Sequence, residues 1–314
     1  VRAPGSPEAR TGHVARALDS DVLHSFLRSP VTVASAAVTA AFFAGAALAP
    51  LIAPHSPFEP ATLNLLEGFT PPFEPNRISG RVFLMGTDDQ GRDIFSAILF
   101  GARISLLVGF SAVLLAAVLG VALGLVAGYV GGWLDAFIMR VADVQLSFPS
   151  ILIALMIFGV VKGFLTPLQH ERVAIYVLIV AIALADWVQF ARTVRSTTMV
   201  EKNKEYVQAA RLIGVPAPLI LVRHILPNVM GPVLVLATIG LALAIILEST
   251  LSFLGVGVPP TQPSLGTLIR VGQNFLFSGE WWITLFPGGA LLALALSVNL
   301  LGDWLRDALN PKLR

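Results

Sequence analysis

Six apolar runs, most of them too long for ordinary core helices, constrain this chain more than any other feature. They lie near Val31–Ala53, Ile104–Val130, Pro149–Val161, Ala174–Ala191, Val229–Leu254 and Ile283–Leu301. About 20 apolar residues, at roughly 1.5 Å rise each, cross a hydrocarbon layer about 30 Å thick. The pattern therefore predicts an all-α membrane protein with six transmembrane helices. The third run is short and is predicted to borrow Val144–Phe148 at its start. Composition agrees: 55% of the chain is hydrophobic and 13% charged, far from the usual soluble balance. Gly109, Gly120, Gly124 and Gly128 in the second run read equally as close helix contacts or as a loosely packed helix.

The basic residues orient the spans. With an even number of them, both termini share one side, and that side collects 14 of the 21 Lys and Arg residues. The positive-inside rule then makes the termini cytosolic. Residues 1–30 form a polar N-terminal tail, 31–53 the first span, 54–100 an outer loop with an acidic excess, 101–305 the core, and 306–314 a C-terminal tail. Some 30 residues precede the first run, so it reads as a retained span and not as a cleaved signal. Leu18, Val22, Leu23, Phe26 and Leu27 predict an amphipathic helix against the inner bilayer surface.

Several chemistries find no support. The chain has no cysteine, which excludes disulfides and thiolate sites. It has no P-loop motif for nucleotide phosphates, and its five histidines lack zinc spacing. Gly86–Asp93 gathers Asp and Gly like a calcium loop but without EF-hand spacing; a turn leading into a capped helix is the better reading. No enzyme is predicted, and no cofactor, metal or nucleic acid for this chain. Outer segments are predicted at Lys162–Arg172 and, interrupted by prolines, at Gly255–Glu280.

The longest cytosolic loop, 192–228, carries the functional reading. Tyr206, Ala209, Ala210 and Ile213 recur at i, i+3, i+4 and i+7, one face of a short helix. Gly214 suits its C-terminal breaker, Pro218 the first turn of a second helix, and Pro227 the end of that helix before the next span. The alanines leave a flat surface for another protein. From spacing alone, an amphipathic hairpin lying on the bilayer is an equal alternative.

This segment resembles the EAA loop of ATP-binding-cassette importer permeases. Gln208-Ala209-Ala210, Gly214 and Leu226-Pro227 stand at the matching positions, with Gln208 in place of glutamate and His224 in place of isoleucine. Glu205–Ala210 and Arg223–Asn228 are similar to the dipeptide and oligopeptide branch. So are Gly86–Asp93 with Gly101–Leu106, then Glu248–Gly257 and Gly302–Asp307. The resemblance implies a type I importer transmembrane domain with a cytosolic coupling helix. It implies Glu205, Tyr206, Gln208, Ala209, Ala210, Gly214, His224, Leu226 and Pro227 as ATPase-coupling residues. The implied partners are a second homologous permease, two ATPase subunits that carry ATP and Mg, an extracytoplasmic substrate-binding protein and the lipid membrane.

Asp186 and Glu248 are the intramembrane carboxylates. Each is a candidate pore or gating position, with a helix-end or inter-subunit hydrogen bond as the alternative, favoured at Asp186. The expected cargo is a di- or oligopeptide. A related nickel or small-solute importer shares these signatures. An ion-coupled transporter would need paired membrane charges or broken-helix repeats, and a membrane scaffold would leave the coupling loop unexplained.

Overall fold

The computed structural model describes residues 26–54, 57, 63–259, 261–262 and 264–308. These are mostly helical. Helix α1 spans Pro30–Ala47, where the Ser29 side chain accepts from the Thr32 N–H and Pro30 opens the first turn. A one-turn helix, α2 (Ala49–Ile52), continues it. A short helical turn at Phe26–Arg28 precedes them, and Phe26 meets the Trp304 ring edge-on at 5.1 Å. Leu18, Val22 and Leu23 of the expected amphipathic helix lie outside the described residues.

Helix α3 (Ile94–Val130) has 37 residues, about 56 Å of helix and nearly twice the hydrocarbon thickness. It begins with a cap: the Asp93 carboxylate accepts from the Ser96 N–H at 2.8 Å, the turn and capped helix read from Gly86–Asp93. Helix α4 (Gly132–Leu146) and α5 (Ser150–Phe164) follow, bent by 95° at their junction. Val144–Phe148 therefore do not lengthen the third span as expected. They close α4 and form the corner, because Pro149 cannot extend a helix through its own position. Among the described residues, five helices are long and apolar enough to cross a membrane, or six if the bent pair counts as one span.

Helix α6 (Pro167–Glu201) starts at a Thr166–Gln169 capping box. The expected outer loop at Lys162–Arg172 thus shrinks to Leu165 and Thr166. The expected cytosolic loop likewise begins as ten further residues of α6. Helices α3 and α6 lie in close contact. At Gly120, Gly124 and Gly128 an added Cβ would fall within 2.4, 2.5 and 2.7 Å of α6 atoms. The close-contact reading of these glycines is the correct one.

The chain then forms α7 (Glu205–Leu212), α8 (Ala217–Ile220), a π turn at Leu221–Ile225, and α9 (Leu226–Phe253). Pro227 does not end the second helix as expected. Instead, one helical path runs from Ala217 to Phe253. The π turn accommodates the proline: the Leu226 N–H bonds Leu221 O, five residues back, where a proline next in line has no N–H to offer an α-helical partner. Helix α10 (Leu265–Gln273) fills some of the outer segment expected at Gly255–Glu280. Helix α11 (Trp282–Ala308) closes the chain and packs against α1, α9 and α10.

On one side of the bundle, residues 63–93 fold as a cap without a regular strand. The Thr87 hydroxyl donates to Glu67 O at 2.6 Å, and the Thr70 hydroxyl donates to the same oxygen at 2.7 Å. The Trp282 indole N–H donates to Thr87 O at 3.0 Å, fastening the cap to α11. Asp88 accepts from the Gln90 and Arg92 N–H groups, both at 2.9 Å.

Candidate functional site

At the opposite end from the cap, α7 and α8 form a hairpin between the ends of α6 and α9. Helix α7 stops at a Schellman turn. The Gly214 N–H bonds Arg211 O and the Val215 N–H bonds Ala210 O, both at 3.0 Å, with Gly214 at φ +82°. That left-handed position is the one where a Cβ would be strained. Pro216 then sits before α8, and Pro218 in its first turn, where no N–H is needed.

One face of the hairpin is packed into the bundle. Val207, Ala210, Ile220, Ile225 and Val229 are buried with Leu125 of α3 and Val194 of α6. The opposite face is bare. Leu212 is 89% and Ile213 80% exposed, and Glu205, Gln208, Ala209, Gly214 and Pro227 are exposed beside them. The face read from the sequence is therefore corrected at one position. Tyr206, Ala209 and Ile213 do point outward, but Ala210 turns inward and Leu212 joins the outer surface. A short helix rich in small residues takes its rotation from what lies beneath it, here α3 and α6.

Polar contacts fix the hairpin to the bundle. The Tyr206 hydroxyl donates to Glu201 at the end of α6 and accepts from the Asn228 side-chain amide at 3.1 Å. Burial, and then the Glu201 carboxylate, push the Tyr206 hydroxyl up to about 12, so it stays a neutral donor. Lys202 donates to Gly128 O at 2.7 Å, placing a cation on the carbonyl end of α3, where the helix dipole favours it. The Arg211 guanidinium lies 4.8 Å from the Tyr129 ring centre, a cation–π contact. Gln208 donates to Asn203 O at 3.0 Å. His224 is half-buried; its carbonyl accepts from Asn228 at 2.7 Å, and its Nδ1 is enclosed without a partner among the described residues. Leu226 is partly buried against the same cluster.

Two ion pairs hold α4 beside this end. Arg195 grips Asp135, with Nη2 at 2.6 Å from Oδ2, and Arg192 pairs with Asp143. Sequence reasoning missed Glu201, Tyr129 and Asp135, and gave Asn228 no role beyond its place in Arg223–Asn228. Their partners lie on other elements, and no local spacing announces them.

The two intramembrane carboxylates lie elsewhere. Glu248 is fully buried within this one chain. It accepts from the hydroxyls of Ser105 at 2.7 Å, Ser252 at 2.7 Å and Ser249 at 3.2 Å. The Ser105 oxygen in turn accepts from the Leu265 N–H at 3.3 Å, so the node joins α3, α9 and the start of α10. Burial in a lone chain only deepens on assembly. Glu248 therefore lines no passage in this structure, and its partners are within the subunit and not across an interface. Asp186, half-buried on α6, accepts from Ser150 at the first turn of α5.

Residues 120–314 match the family described as binding-protein-dependent transport system inner membrane component. This chain belongs to that family. Residues 20–72 match the N-terminal transmembrane domain of oligopeptide transport permease C. The permease is thus a transport component of the membrane. It is 36% identical over 311 residues to the dipeptide transport system permease protein DppC of Alkalihalophilus pseudofirmus, covering 99% of this chain and 95% of that one. It is 38% identical to a putative peptide transport system permease of Brucella suis, over 75% of each chain. The glutathione transport system permease protein GsiD of Salmonella typhimurium is 43% identical over 73% of this chain and 72% of its own.

Proposed function

We propose that this chain is the transmembrane permease subunit of an ATP-driven importer of di- or oligopeptides. A second, homologous permease completes the passage, two ATPase subunits dock on the hairpin, and an extracytoplasmic binding protein delivers cargo on the cap side. Both termini face the cytosol, a reading supported by the excess of basic residues on that side. The cargo class is supported by the dipeptide, peptide and glutathione relatives. The docking site is supported by one observation above others: an apolar knob, Leu212 and Ile213, stands bare on a hairpin whose other face is locked into the bundle.

The knob and its mounting suit force transmission. A protein that grips Leu212 and Ile213 also turns α6 and the path from Ala217 to Phe253, because both are continuous helix from the hairpin into the membrane. Closure of the ATPase pair around ATP then moves two long levers as rigid bodies. ATP biases the permease only to the extent that one conformation is bound better than the other. Glu205, Gln208 and Ala209 provide the polar and flat surround of the knob. Gly214, Leu226 and Pro227 set its backbone, Tyr206 ties it down, and His224 sits half-buried in the π turn that follows α8.

Affinity purification from native membranes, with mass spectrometry of what is retained, tests the assignment. Recovery of a second permease and P-loop ATPases is expected. Leu212→Asp should lose the ATPases and keep the second permease, since this side chain supports nothing inside the bundle. Retention of ATPases by that variant would remove the hairpin from the docking role.

A further inference from the structure

We propose that Asp186, Gln189, Thr193 and Ser196, a stripe on α6, line the cytosolic half of a water-filled passage, with Asp186 the station for the amino terminus of a peptide in transit. This rests on the importer reading above and assigns residues to the cargo's path.

Asp186 lies deep in the bilayer. A Cβ added to Gly120 would fall 2.6 Å from Trp187 O, which sets Asp186 level with that part of α3. Between Arg103 and Val130, α3 carries no charged residue. Gly120 lies about 26 Å of helix past Arg103 and about 15 Å before Val130. Asp186 is therefore near the middle of a hydrocarbon layer about 30 Å thick, and Ser196 is about 15 Å nearer the hairpin.

The four residues recur at i, i+3, i+7 and i+10, one face of the helix. Other parts of α6 are covered. Ala183, Phe190 and Val194 are buried with residues of α3 and α9, and Ile182, one turn above Asp186, is buried in the cluster of Ala154 and Phe158 of α5. The corner between α4 and α5 is fixed beside the stripe by Gln145, which donates to Leu184 O at 2.6 Å and Ala185 O at 3.0 Å and accepts from the Trp187 indole at 2.8 Å. Below that corner the stripe is open: Gln189 and Ser196 are exposed, Asp186 and Thr193 half-buried. The flanking Arg192–Asp143 pair is open too, its side chains 47% and 50% exposed.

This is not a lipid-facing surface. The exposed stripe of α3 in the same bilayer, Leu107, Phe110, Leu114 and Val118, is apolar throughout, as lipid demands. Polar groups at such depth need water or protein partners. A carboxylate packed against a second subunit would need a cation there, whereas in a wet passage water solvates it and the cargo brings a cation of its own.

Charge selects the end of the cargo. Arg192 is engaged by Asp143. Among the described residues no cation pairs with Asp186, which accepts from the Ser150 hydroxyl. A carboxylate has about four acceptor sites, so most of its capacity is free. The terminal ammonium of a peptide supplies both the charge and the donors, while its terminal carboxylate is repelled. Gln189, about 4.5 Å along the axis, presents an amide to a peptide bond.

The full complex, with its partner subunits, tests this in nanodiscs for labelling and in proteoliposomes for uptake. The chain has no cysteine, so Gln189→Cys, Ser196→Cys and Leu114→Cys each place a single thiol in it. A charged methanethiosulfonate reagent, read by the mass of this chain, should label positions 189 and 196. Position 114 should react at least about tenfold more slowly, because a thiol in apolar surroundings stays protonated. Asp186→Asn keeps an acceptor for Ser150 and removes the charge. It should lower uptake of a mixture of tripeptides about tenfold and leave uptake of the same mixture N-acetylated unchanged. Asp186→Glu should keep most of the uptake. No tripeptide uptake by the wild-type complex would overturn the importer reading and this inference with it. Wild-type uptake with positions 189 and 196 unlabelled would put the second permease on the stripe and overturn this inference alone. An equal loss for free and acetylated peptides, or no loss, in Asp186→Asn would do the same.

Discussion

The Tyr206 hydroxyl donates to the Glu201 carboxylate and accepts from the Asn228 amide, so one oxygen bridges α6 and α9 across the base of the hairpin. Tyr206→Phe removes both bonds without changing the ring. A hydrogen bond to a charged group contributes about 1.5–3 kcal/mol when enclosed, and less at this partly exposed position. The hairpin is expected to stay folded, since Val207 and Ala210 still anchor it, but to turn less faithfully with the helices. ATPase subunits should co-purify normally while cargo uptake per ATP hydrolysed falls several-fold. Unchanged coupling would place force transmission in the apolar contacts alone.

Glu248 makes a second expectation specific. Its carboxylate is the shared acceptor for hydroxyls on α3 and α9, and Ser105 relays to α10. Glu248→Ala leaves those hydroxyls unpaired around a cavity, a loss on the order of 3 kcal/mol. Glu248→Gln keeps the volume, and serine hydroxyls rotate to accept as well as donate; a loss of about 1 kcal/mol is expected. Thermal denaturation in detergent should rank wild type above Gln and Gln well above Ala. Equal damage from Gln and Ala would mean that the node needs the carboxylate itself.

How much of this was legible in the sequence depended on where the cause lay. Gly214 and Pro218 announced the hairpin because their conformational limits are their own. The apolar runs announced the membrane for the same reason. The inward turn of Ala210 was not legible, because Leu125 and Val194 decide it from distant helices. Nor were the partners of Glu248, with Ser105 lying 143 residues away. Helix α10 was hidden behind prolines, although its Ser264 cap, accepting from the Thr267 N–H, and the i, i+3 spacing of the buried Leu265 and Leu268 were local signs. The start of α3 was legible in the turn and cap at Gly86–Asp93, whereas the extensions of α6 escaped a reading by hydropathy because a helix continues through polar residues once it is nucleated.

Asp88 gives the cap a pH dependence. Burial outweighs the Arg92 and Gln90 hydrogen bonds and the Arg92 charge, and together with the nearby Asp89 it pushes the Asp88 carboxyl up to about 6 from 3.8. The folded state therefore binds more protons than the unfolded state between about pH 4 and 6, and stability falls as pH rises through that window. At about 1.4 kcal/mol per unit, the charged form costs the fold about 3 kcal/mol above pH 6 relative to an unshifted carboxyl. Asp88→Asn lacks this titration. The difference in melting temperature, variant minus wild type, should grow from about pH 4 to about pH 6.5 and then level. A flat difference would show that Asp88 ionises in the cap without penalty.

The contact between α3 and α6 is the place where one methyl group should matter most. At Gly124 an added Cβ would lie 2.5 Å from Ala191 O and 2.9 Å from the Val194 Cβ. Neither is the movable end of a side chain, so Gly124→Ala must push α3 and α6 away from each other. Overpacking of this kind costs about 1–3 kcal/mol, and in lipid no hydrophobic gain offsets it, because close packing is what holds such helices together. Gly159 on α5 is the control: its added Cβ meets nothing within 4 Å, and alanine there relieves the helix of glycine's entropic cost, about 0.5–1 kcal/mol. The same substitution is therefore expected to lower the melting temperature at position 124 and to hold or raise it at 159. An equal loss at both positions would show that the α3–α6 contact has no special weight in the stability, and tolerance at 124 would show that the two helices have room to separate.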